Sequence, residues 1–325
     1  MSTLFGRKYK MIVYVPEEDK AVPYLTDGWV APQPDNVWYT VNNTYEITEH
    51  DFNATFGFKT NNGKNTEEPA KFVIGGLKGS RLYDTIKKGS KIELFAGYLT
   101  ETGDLPLVYT GYVDAISSGS EYGGNALHLK MSATGFAKGK TRIFKTYSNG
   151  ESVGQVIQDM QKYLQLPPPY IPNPLFATPA PKNLTVDGNV YRGMENLLAD
   201  FGYLNVIDNK QSFILKFLEL GQSVTETEYH IYLPEKRQIV GDFKLEDDKS
   251  SSDASKGKVK MTTLLQHYKP NAIIRLDAEE HETMYAGDWV VEGIKYSLNY
   301  RGQDWYAKLD LIRRGELAEN QHIKE

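Results

Sequence analysis

Alternating hydrophobic and polar residues mark the last of three strand-like runs between Lys87 and Ala133. In the run NALHLKMSA, apolar side chains occupy every second position and polar side chains lie between them. This period of two predicts a strand with one buried face. The preceding runs, KKGSKIELFAGYL and LPLVYTGYVDAIS, are punctuated by glycine. The whole stretch is therefore predicted to be a three-stranded antiparallel sheet.

A second copy of this pattern lies near the C-terminus. Sliding the chain without gaps so that Ile92 falls on Ile274 brings further apolar and glycine positions into alignment. The aligned pairs are Leu94 with Leu276, Val108 with Val290, Gly111 with Gly293, Ile116 with Leu298, Leu127 with Leu309 and Leu129 with Leu311. Identity is low, and any two β-meanders share some apolar registers. The pattern nevertheless predicts that the chain carries the same antiparallel sheet twice.

The N-terminal region is predicted to be β structure with long connections. Strands are expected at Lys10–Val15, Phe52–Phe58 and Phe72–Ile74, with a loop from Pro16 to Pro34. Asn61-Asn62-Gly63 is a turn signal, because Asn and Gly tolerate positive φ. Many strands with glycine at their ends favour a small barrel or sandwich over an open sheet.

Between the two sheets the period of the apolar residues changes from two to about 3.6, which predicts helices. The first helix is expected to have Ser148 or Asn149 as its N-cap and to end before Pro167-Pro168-Pro169. Its apolar face comprises Val153, Val156, Ile157, Met160 and Leu164. The second is expected to follow Asn189 and to end at Gly202. Its apolar face comprises Tyr191, Met194, Leu197, Leu198 and Phe201.

Short strands complete this middle region. Leu184–Val186 is predicted to be a strand, and Leu204–Ile207 and Ser212–Leu218 are predicted to form a hairpin. Residues 147–220 are thus expected to be a small α+β unit.

The second sheet is predicted from three strands and a long polar loop. The strands are Ile273–Leu276, Trp289–Tyr300 and Trp305–Ile312, and the polar stretch Asp242–Lys258 is expected to be an exposed loop. The predicted fold is mainly β with an α+β insertion, in which two similar small antiparallel β-barrel domains flank a small α+β domain. The expected divisions are residues 1–146, 147–220 and 221–314, followed by a charged tail at 315–325.

Composition excludes several classes of function. The chain of 325 residues contains no cysteine, so disulfides, thiol catalysis and iron–sulfur clusters are excluded. Its net charge of -5, with 37 basic and 42 acidic residues intermixed, provides no basic footprint for specific nucleic-acid binding. No apolar run approaches the roughly 18 residues of a membrane span, and no signal peptide is recognisable, so a cytoplasmic protein without a membrane span is expected.

The segment GFAKGKT at residues 135–141 is the nearest approach to a phosphate-binding loop. That motif needs four residues between its first glycine and Gly-Lys, whereas three are present here. The segment is therefore interpreted as a basic loop, and no cofactor is predicted.

Acidic pairs and histidines give no convincing catalytic pattern. A glycosidase needs two carboxylates facing the scissile bond, but each acidic pair lies in a predicted polar loop. These pairs are Glu17-Glu18, Glu67-Glu68, Asp247-Asp248 and Glu279-Glu280. The histidines show no metal-ligand spacing, although a site formed between subunits stays open; they are His50, His128, His230, His267, His281 and His322. No catalytic, cofactor-binding or metal-binding residue is predicted.

Lys88-Gly89 precedes a predicted strand, Ala96-Gly97-Tyr98 lies at its end, and Tyr109-Thr110-Gly111 with Ile116 lies in the next strand. In these residues and in the order of its elements the chain resembles the hub proteins of contractile phage baseplates, a family that extends to the spike proteins of type VI secretion. Gly150-Glu151-Ser152-Val153 and the segments YRGMENLLADFGY, LNVIDNKQSFILKF and TTLLQHYKPNAIIRL add support. The chain departs from the family at Gly76-Leu77, where Asn-Leu is usual. The resemblance covers roughly residues 70–312.

This resemblance implies a structural protein without catalytic activity. It implies a homotrimer whose two barrels per chain alternate around a ring, so that one face meets sixfold partners and the whole meets threefold partners. The implied partners are the tail tube protein, the central spike protein and baseplate wedge proteins, with DNA or a tape-measure protein passing through the lumen. The implied location is the virion tail baseplate, assembled in the host cytoplasm.

Two alternatives from other classes stay open. One is a tail-associated peptidoglycan hydrolase that uses an acidic pair. The other is a glycan-binding module, which would need Trp29, Trp38, Trp289 or Trp305 in an exposed groove.

Overall fold

The computed structural model describes residues 6–15, 44–48, 50–61, 64–77, 81–98, 105–121, 124–132, 141–164, 169–208, 211–216, 228–232, 239–240, 244–246, 258–270, 272–277 and 285–313. Over these residues the chain is mainly β, with large antiparallel sheets and few helices. This confirms the mainly β class predicted from the alternating pattern.

The first strand set lies N-terminal to the helices. It consists of β1 (Arg7–Tyr14), β2 (Thr44–Ile47), β3 (Phe52–Asn61), β4 (Lys64–Gly75), β5 (Lys91–Tyr98), β6 (Leu107–Glu121) and β7 (Gly124–Ser132). A short helix, α1 (Arg81–Thr85), lies between β4 and β5. The strands pair antiparallel in the order β3-β4-β7-β6-β5-β1-β2. The three predicted strands between Lys87 and Ala133 are therefore confirmed.

The second strand set follows the helices. It consists of β12 (Glu228–Tyr232), β13 (Lys244–Glu246), β14 (Lys258–Leu264), β15 (Ile273–Asp277), β16 (Gly287–Asn299) and β17 (Trp305–Arg313). Its order is β13-β14-β17-β16-β15-β12, and all pairs are antiparallel except β12 with β15. Strand β3 also pairs with β16, so the two sets form one sheet of 13 strands. Their buried side chains form one continuous hydrophobic core.

A row of buried residues across three strands occurs once in each set. In the first set Met131 of β7 lies opposite Ala70 of β4 and Val113 of β6. In the second set Leu311 of β17 lies opposite Val259 of β14 and Val291 of β16. All six side chains are buried.

The backbone on either side of this row also matches. The N–H of Val113 donates to the Ser90 carbonyl at 2.9 Å, and the N–H of Val291 donates to the Ala272 carbonyl at 3.0 Å. In both strands a β-bulge follows directly, at Asp114 and at Glu292. The chain thus repeats the same local arrangement of strands.

The gapless alignment used to find this repeat is correct for β15 but wrong for the next two strands. It would place Val291 on Tyr109 and Leu311 on Leu129, whereas the registers place them on Val113 and Met131. The β15–β16 hairpin is shorter than the β5–β6 hairpin, and the β16–β17 hairpin is longer than the β6–β7 hairpin. Because strand and loop lengths differ between the two copies, a constant offset cannot follow all three strands.

An α+β unit lies between the two strand sets in sequence. It contains β8 (Arg142–Thr146), α2 (Val153–Tyr163), α3 (Asn173–Ala177), β9 (Thr185–Asn189), α4 (Val190–Asp200), β10 (Tyr203–Asp208) and β11 (Gln211–Lys216). Strand β8 pairs with β9, and β10 pairs with β11. The apolar faces of α2 and α4 pack in a second hydrophobic core. The predicted helices, short strand and hairpin are confirmed.

The predicted cap of the first helix is wrong. Helix α2 begins after Ser152, whose hydroxyl accepts a hydrogen bond from the Gln155 N–H at 3.2 Å. The Gln155 side chain accepts in return from the Ser152 N–H at 2.9 Å. This capping box satisfies two N–H groups at the helix start, which neither Ser148 nor Asn149 reaches. Asn189 caps α4 as predicted, and Gly202 follows its end at φ 74°.

Replacing Ser152 with alanine is expected to lower the free energy of unfolding by about 1 kcal/mol, because the Gln155 N–H loses its side-chain acceptor. Ser148→Ala is the matched control, since Ser148 is exposed and contributes only its backbone carbonyl to Glu151. Chemical denaturation of both variants checks this. Equal losses would contradict the assigned cap.

Several other expectations change or fall outside the described residues. The stretch Asp242–Lys258 was expected to be one loop, but it contains β13 and the first residue of β14. Glu67-Glu68 lies in β4 rather than in a loop. The turn residues 62–63, residues 135–140 of the GFAKGKT loop, the tail at 315–325 and the pairs Glu17-Glu18, Asp247-Asp248 and Glu279-Glu280 lie outside the described residues. The domain boundaries stay predictions. Strand β8 lies before the first predicted boundary but pairs with β9, which lies after it.

Buried tyrosines make the fold sensitive to alkali. Burial raises the pKa of Tyr268 to about 12, although its hydrogen bond to Thr263 lowers it. Above the ordinary value of 10.0 the unfolded chain loses a proton that the folded chain keeps. The free energy of unfolding should therefore fall as pH rises from about 10 to about 12, by at most about 1.4 kcal/mol per pH unit for this tyrosine.

The measurement is denaturation at a series of pH values between 9 and about 12. Tyr268→Phe should show a shallower loss than the unchanged chain, because one titrating phenol is removed. An unchanged slope would contradict the contribution of Tyr268.

Candidate assembly surfaces

One edge of β6 is only half covered by its neighbours. Strand β7 pairs along the length of β6 from Tyr112 to Glu121, but β5 pairs only with its N-terminal half, up to Tyr112. Beyond the bulge at Asp114, no described strand lies on the β5 side of β6. This leaves residues 115–121, called the β6 edge below, with backbone groups available to another strand.

The equivalent edge of β16 is fully covered. Strand β15 pairs with its N-terminal half, and β3 pairs with residues 293–299 beyond the bulge. The register places Lys295 opposite Gly57, Tyr296 opposite Phe56 and Ser297 opposite Thr55. Strand β3 therefore covers this edge of β16, whereas no described strand covers the equivalent edge of β6.

Solvent exposure follows this difference in pairing. Ile294 and Tyr296 of β16 are buried beside β3. Their equivalents on β6 are Ile116 and Ser118, and both are exposed. Ile116 lies opposite the buried Leu129 and yet is 36% exposed. An aliphatic side chain on the core side of a sheet is exposed in this way when the neighbouring strand is missing.

A second surface feature is a basic face on the side of the sheet opposite the core. Six lysines lie on it across β14, β17, β16, β3, β4 and β7, and we call them the lysine face. They are Lys59, Lys71, Lys130, Lys260, Lys295 and Lys308. Two pairs lie directly opposite each other on neighbouring strands, Lys71 with Lys130 and Lys295 with Lys308. Like charges in such positions oppose pairing, so this arrangement is not explained by stability of the sheet.

Acidic groups partly balance the lysine face. Asp310 accepts a hydrogen bond from the Lys59 ammonium at 3.0 Å. Burial raises the pKa of the Asp114 carboxyl, and the charges of Lys130 and Lys88 act in the opposite direction. At the equivalent bulge Glu292 is buried and accepts from Lys258 at 3.1 Å. Both bulges thus hold a carboxylate near lysine.

Within the described ranges, the residues considered for catalysis do not come together. No group of three His, Asp or Glu side chains in the described ranges could hold a metal ion. His50, His128, His230 and His267 lie on separate elements or loops, and His281 and His322 fall outside these ranges. Trp289 and Trp305 are buried in the core, so neither lines an exposed groove. Trp29 and Trp38 also lie outside the described residues.

No helix in the described part of the chain combines the length and the apolar character that a bilayer span requires.

Comparison with known proteins identifies the fold. No protein-family model and no curated protein matches the chain. A tail protein from Neisseria meningitidis MC58 has a similar solved structure, with a TM-score of 0.57, 12% identity, and coverage of 94% of this chain and 97% of that one. The 43 kDa tail protein of prophage MuSo2 from Shewanella oneidensis matches with a TM-score of 0.54, 10% identity, and coverage of 84% and 95%.

A third similar structure comes from type VI secretion. The E. coli c3393 protein matches with a TM-score of 0.53, 11% identity, and coverage of 83% of this chain and 75% of that one. It is described as a component of the type VI secretion system with structural similarity to the T4 bacteriophage tail proteins gp27 and gp5. The resemblance inferred from the order of elements is therefore confirmed at the level of structure: the chain has the fold of these phage tail and type VI secretion proteins.

Proposed function

We propose that this chain is a structural hub protein of a contractile phage tail or a related injection machine. Three copies form a ring that adapts the hexameric tail tube to the trimeric central spike. The observation that carries the proposal is the repeated strand arrangement within one chain, marked by the matching rows, hydrogen bonds and bulges. The shared fold with phage tail proteins supports it.

The symmetry argument follows from the repeat. Two similar strand sets per chain, each curled into a small barrel, give six similar units in a trimer. Six units can offer a sixfold partner nearly equivalent contacts, whereas the whole chain repeats only three times and matches a threefold partner. In this role the chemistry is burial of surface between subunits, and no catalytic group is required.

The partners follow from this position in the machine. The sixfold face meets the tail tube protein, the threefold face meets the central spike protein, and the α+β unit reaches outward to wedge proteins. The lysine face provides a basic surface for an acidic partner protein. The lumen passes DNA or a tape-measure protein, and the location is the virion tail.

The test is the mass of the purified chain in solution. Native mass measurement at micromolar concentration should give three times the chain mass of 36.8 kDa. Image averaging of the particle should then show a threefold ring with six similar lobes. A stable monomer at this concentration would count against the hub, and cleavage of peptidoglycan by the purified protein would favour the hydrolase instead.

A further inference from the structure

We propose that β13 of one copy pairs antiparallel with the β6 edge of the next copy. The partner that fits this edge is thus a second copy of this chain. The inference rests on the proposed ring, but it adds which strands meet and in what register. It can fail while the ring itself stands.

The first step is that β13 is the counterpart of β3. The buried row places β14 in the position of β4, since Val259 opposite Leu311 corresponds to Ala70 opposite Met131. Beyond β4 the next strand is β3, and beyond β14 it is β13, with Leu245 opposite Val259. The bridge between Ile239 and Thr263 continues β13 along β14, as the pairing of Phe52 with Ile74 continues β3 along β4.

The second step is that β3 uses both edges whereas β13 uses one. Strand β3 pairs with β4 on one edge and with β16 of the other strand set on the second edge. Strand β13 pairs with β14, and no other described strand lies on its second edge. The chain therefore has two edges without a described neighbour, β13 and the β6 edge. The edge of β13 corresponds to the edge of β3 that faces β16, and the β6 edge corresponds to the edge of β16 that faces β3.

The third step is closure. Within one chain, the pairing of β3 with β16 already joins the first strand set to the second. The two remaining edges, β13 and the β6 edge, do not meet inside that chain, so a second junction of this kind needs another copy. If β13 of each copy joins β6 of the next, internal and intermolecular junctions alternate. Such a head-to-tail contact forms a ring when its rotation closes. Three copies give six junctions of one kind.

The exposed aliphatic side chains support this pairing. Ile116 on the β6 edge is 36% exposed. Val240, which precedes β13 and donates its N–H to the Thr262 carbonyl of β14, is 38% exposed. Addition of a strand would satisfy backbone groups of both edges and reduce the exposed surface of the β6 edge, as β3 does on β16. The same contact would remove two edges that otherwise invite unspecific pairing.

The register follows from the internal junction. Lys295 opposite Gly57 corresponds to Ser117 opposite Glu246, and Ser297 opposite Thr55 corresponds to Gly119 opposite Lys244. Paired residues on antiparallel strands have Cα atoms about 4.5 to 5.5 Å apart, which is within the range of a disulfide. Because the chain contains no cysteine, an engineered pair reports this contact without background.

The experiment is oxidation of the double variant Ser117→Cys with Glu246→Cys. Each bond forms when two thiols lose two electrons and two protons to an added mild oxidant. We expect a non-reducing gel to show covalent dimers and trimers that reducing agent returns to monomers. Each single variant should stay monomeric on the same gel. The matched control is Ser117→Cys with Leu245→Cys, which shifts one thiol to the opposite face of the strand and should crosslink poorly.

The outcomes separate the two proposals. A trimer in native mass measurement without crosslinks, or with equal crosslinks in the shifted control, would overturn the β13–β6 pairing and leave the ring. A monomer of every variant and of the unchanged chain would overturn both. Circular dichroism of the reduced variants verifies that they fold, and hydrogen exchange of the unchanged trimer gives a second test. Fast exchange throughout residues 115–121 would also overturn the pairing.

Discussion

Replacing Gly57 with alanine is expected to destabilise the folded chain by about 3 kcal/mol or more. A Cβ atom at this position would lie 2.1 Å from the Ile294 carbonyl oxygen and 3.0 Å from the Lys295 Cα. Both atoms belong to the backbone of β16, so no rotation of a side chain relieves the overlap. The strands must separate at the β3–β16 junction, which costs more than ordinary overpacking of a core. Urea denaturation measures the loss.

The matched control is Gly293→Ala on the facing strand. There the added Cβ would lie 3.3 Å from both the Lys59 Cγ and the Phe58 carbonyl oxygen, distances that small shifts can relieve. Its expected cost is about 1 kcal/mol. If both variants lose the same stability, the close approach at Gly57 does not govern the junction.

The strands of both repeats could be predicted because their signal is local. Period-two alternation along 124–132 and 305–313 follows the burial of one face, and the same core requirement produces it twice. The pairing of β3 with β16 has no such signal. It joins residues far apart in sequence, and nothing in the alternation of either strand indicates which neighbour it takes.

Shorter or more polar elements were predicted less well. Strand β13 has three residues within a charged stretch, too few to show a period, and it forms because β14 provides an adjacent edge. The acidic residues Glu67-Glu68 favour a loop by composition, yet they continue the β3–β4 hairpin. The Ser152 cap had a recognisable signal, the spacing of Ser152 and Gln155, which is that of a capping box.

The candidate surfaces could not be predicted from the residues alone, because they depend on the pairing register of the strands. The lysines of the lysine face are visible in the sequence, but their proximity depends on strands that are not consecutive. The β6 edge could not be predicted either, because its significance rests on the strand that covers β16. Only after the bulges at Asp114 and Glu292 align the two repeats does the missing neighbour of β6 become evident.

Replacing Phe56 with alanine is expected to lower the free energy of unfolding by about 3 to 5 kcal/mol. Phe56 is 1% exposed, and its ring stacks on Tyr296 of β16 at a centroid distance of 4.9 Å. It also contacts Tyr109 of β6 at 5.1 Å and Phe72 of β4 at 6.1 Å. Truncation leaves a cavity where the two strand sets meet, and a loss of this size is a large share of the 5 to 15 kcal/mol typical of a folded domain.

Phe144→Ala is the matched control, because this phenylalanine is 77% exposed and its truncation should change stability by no more than about 0.5 kcal/mol. The position of Phe56 between the sets makes a further readout informative. Since its ring touches both β6 and β16, hydrogen exchange should accelerate in both strands of the Phe56→Ala variant. Acceleration confined to one set would mean that the two sets unfold independently, and the continuous core would then not be a cooperative unit.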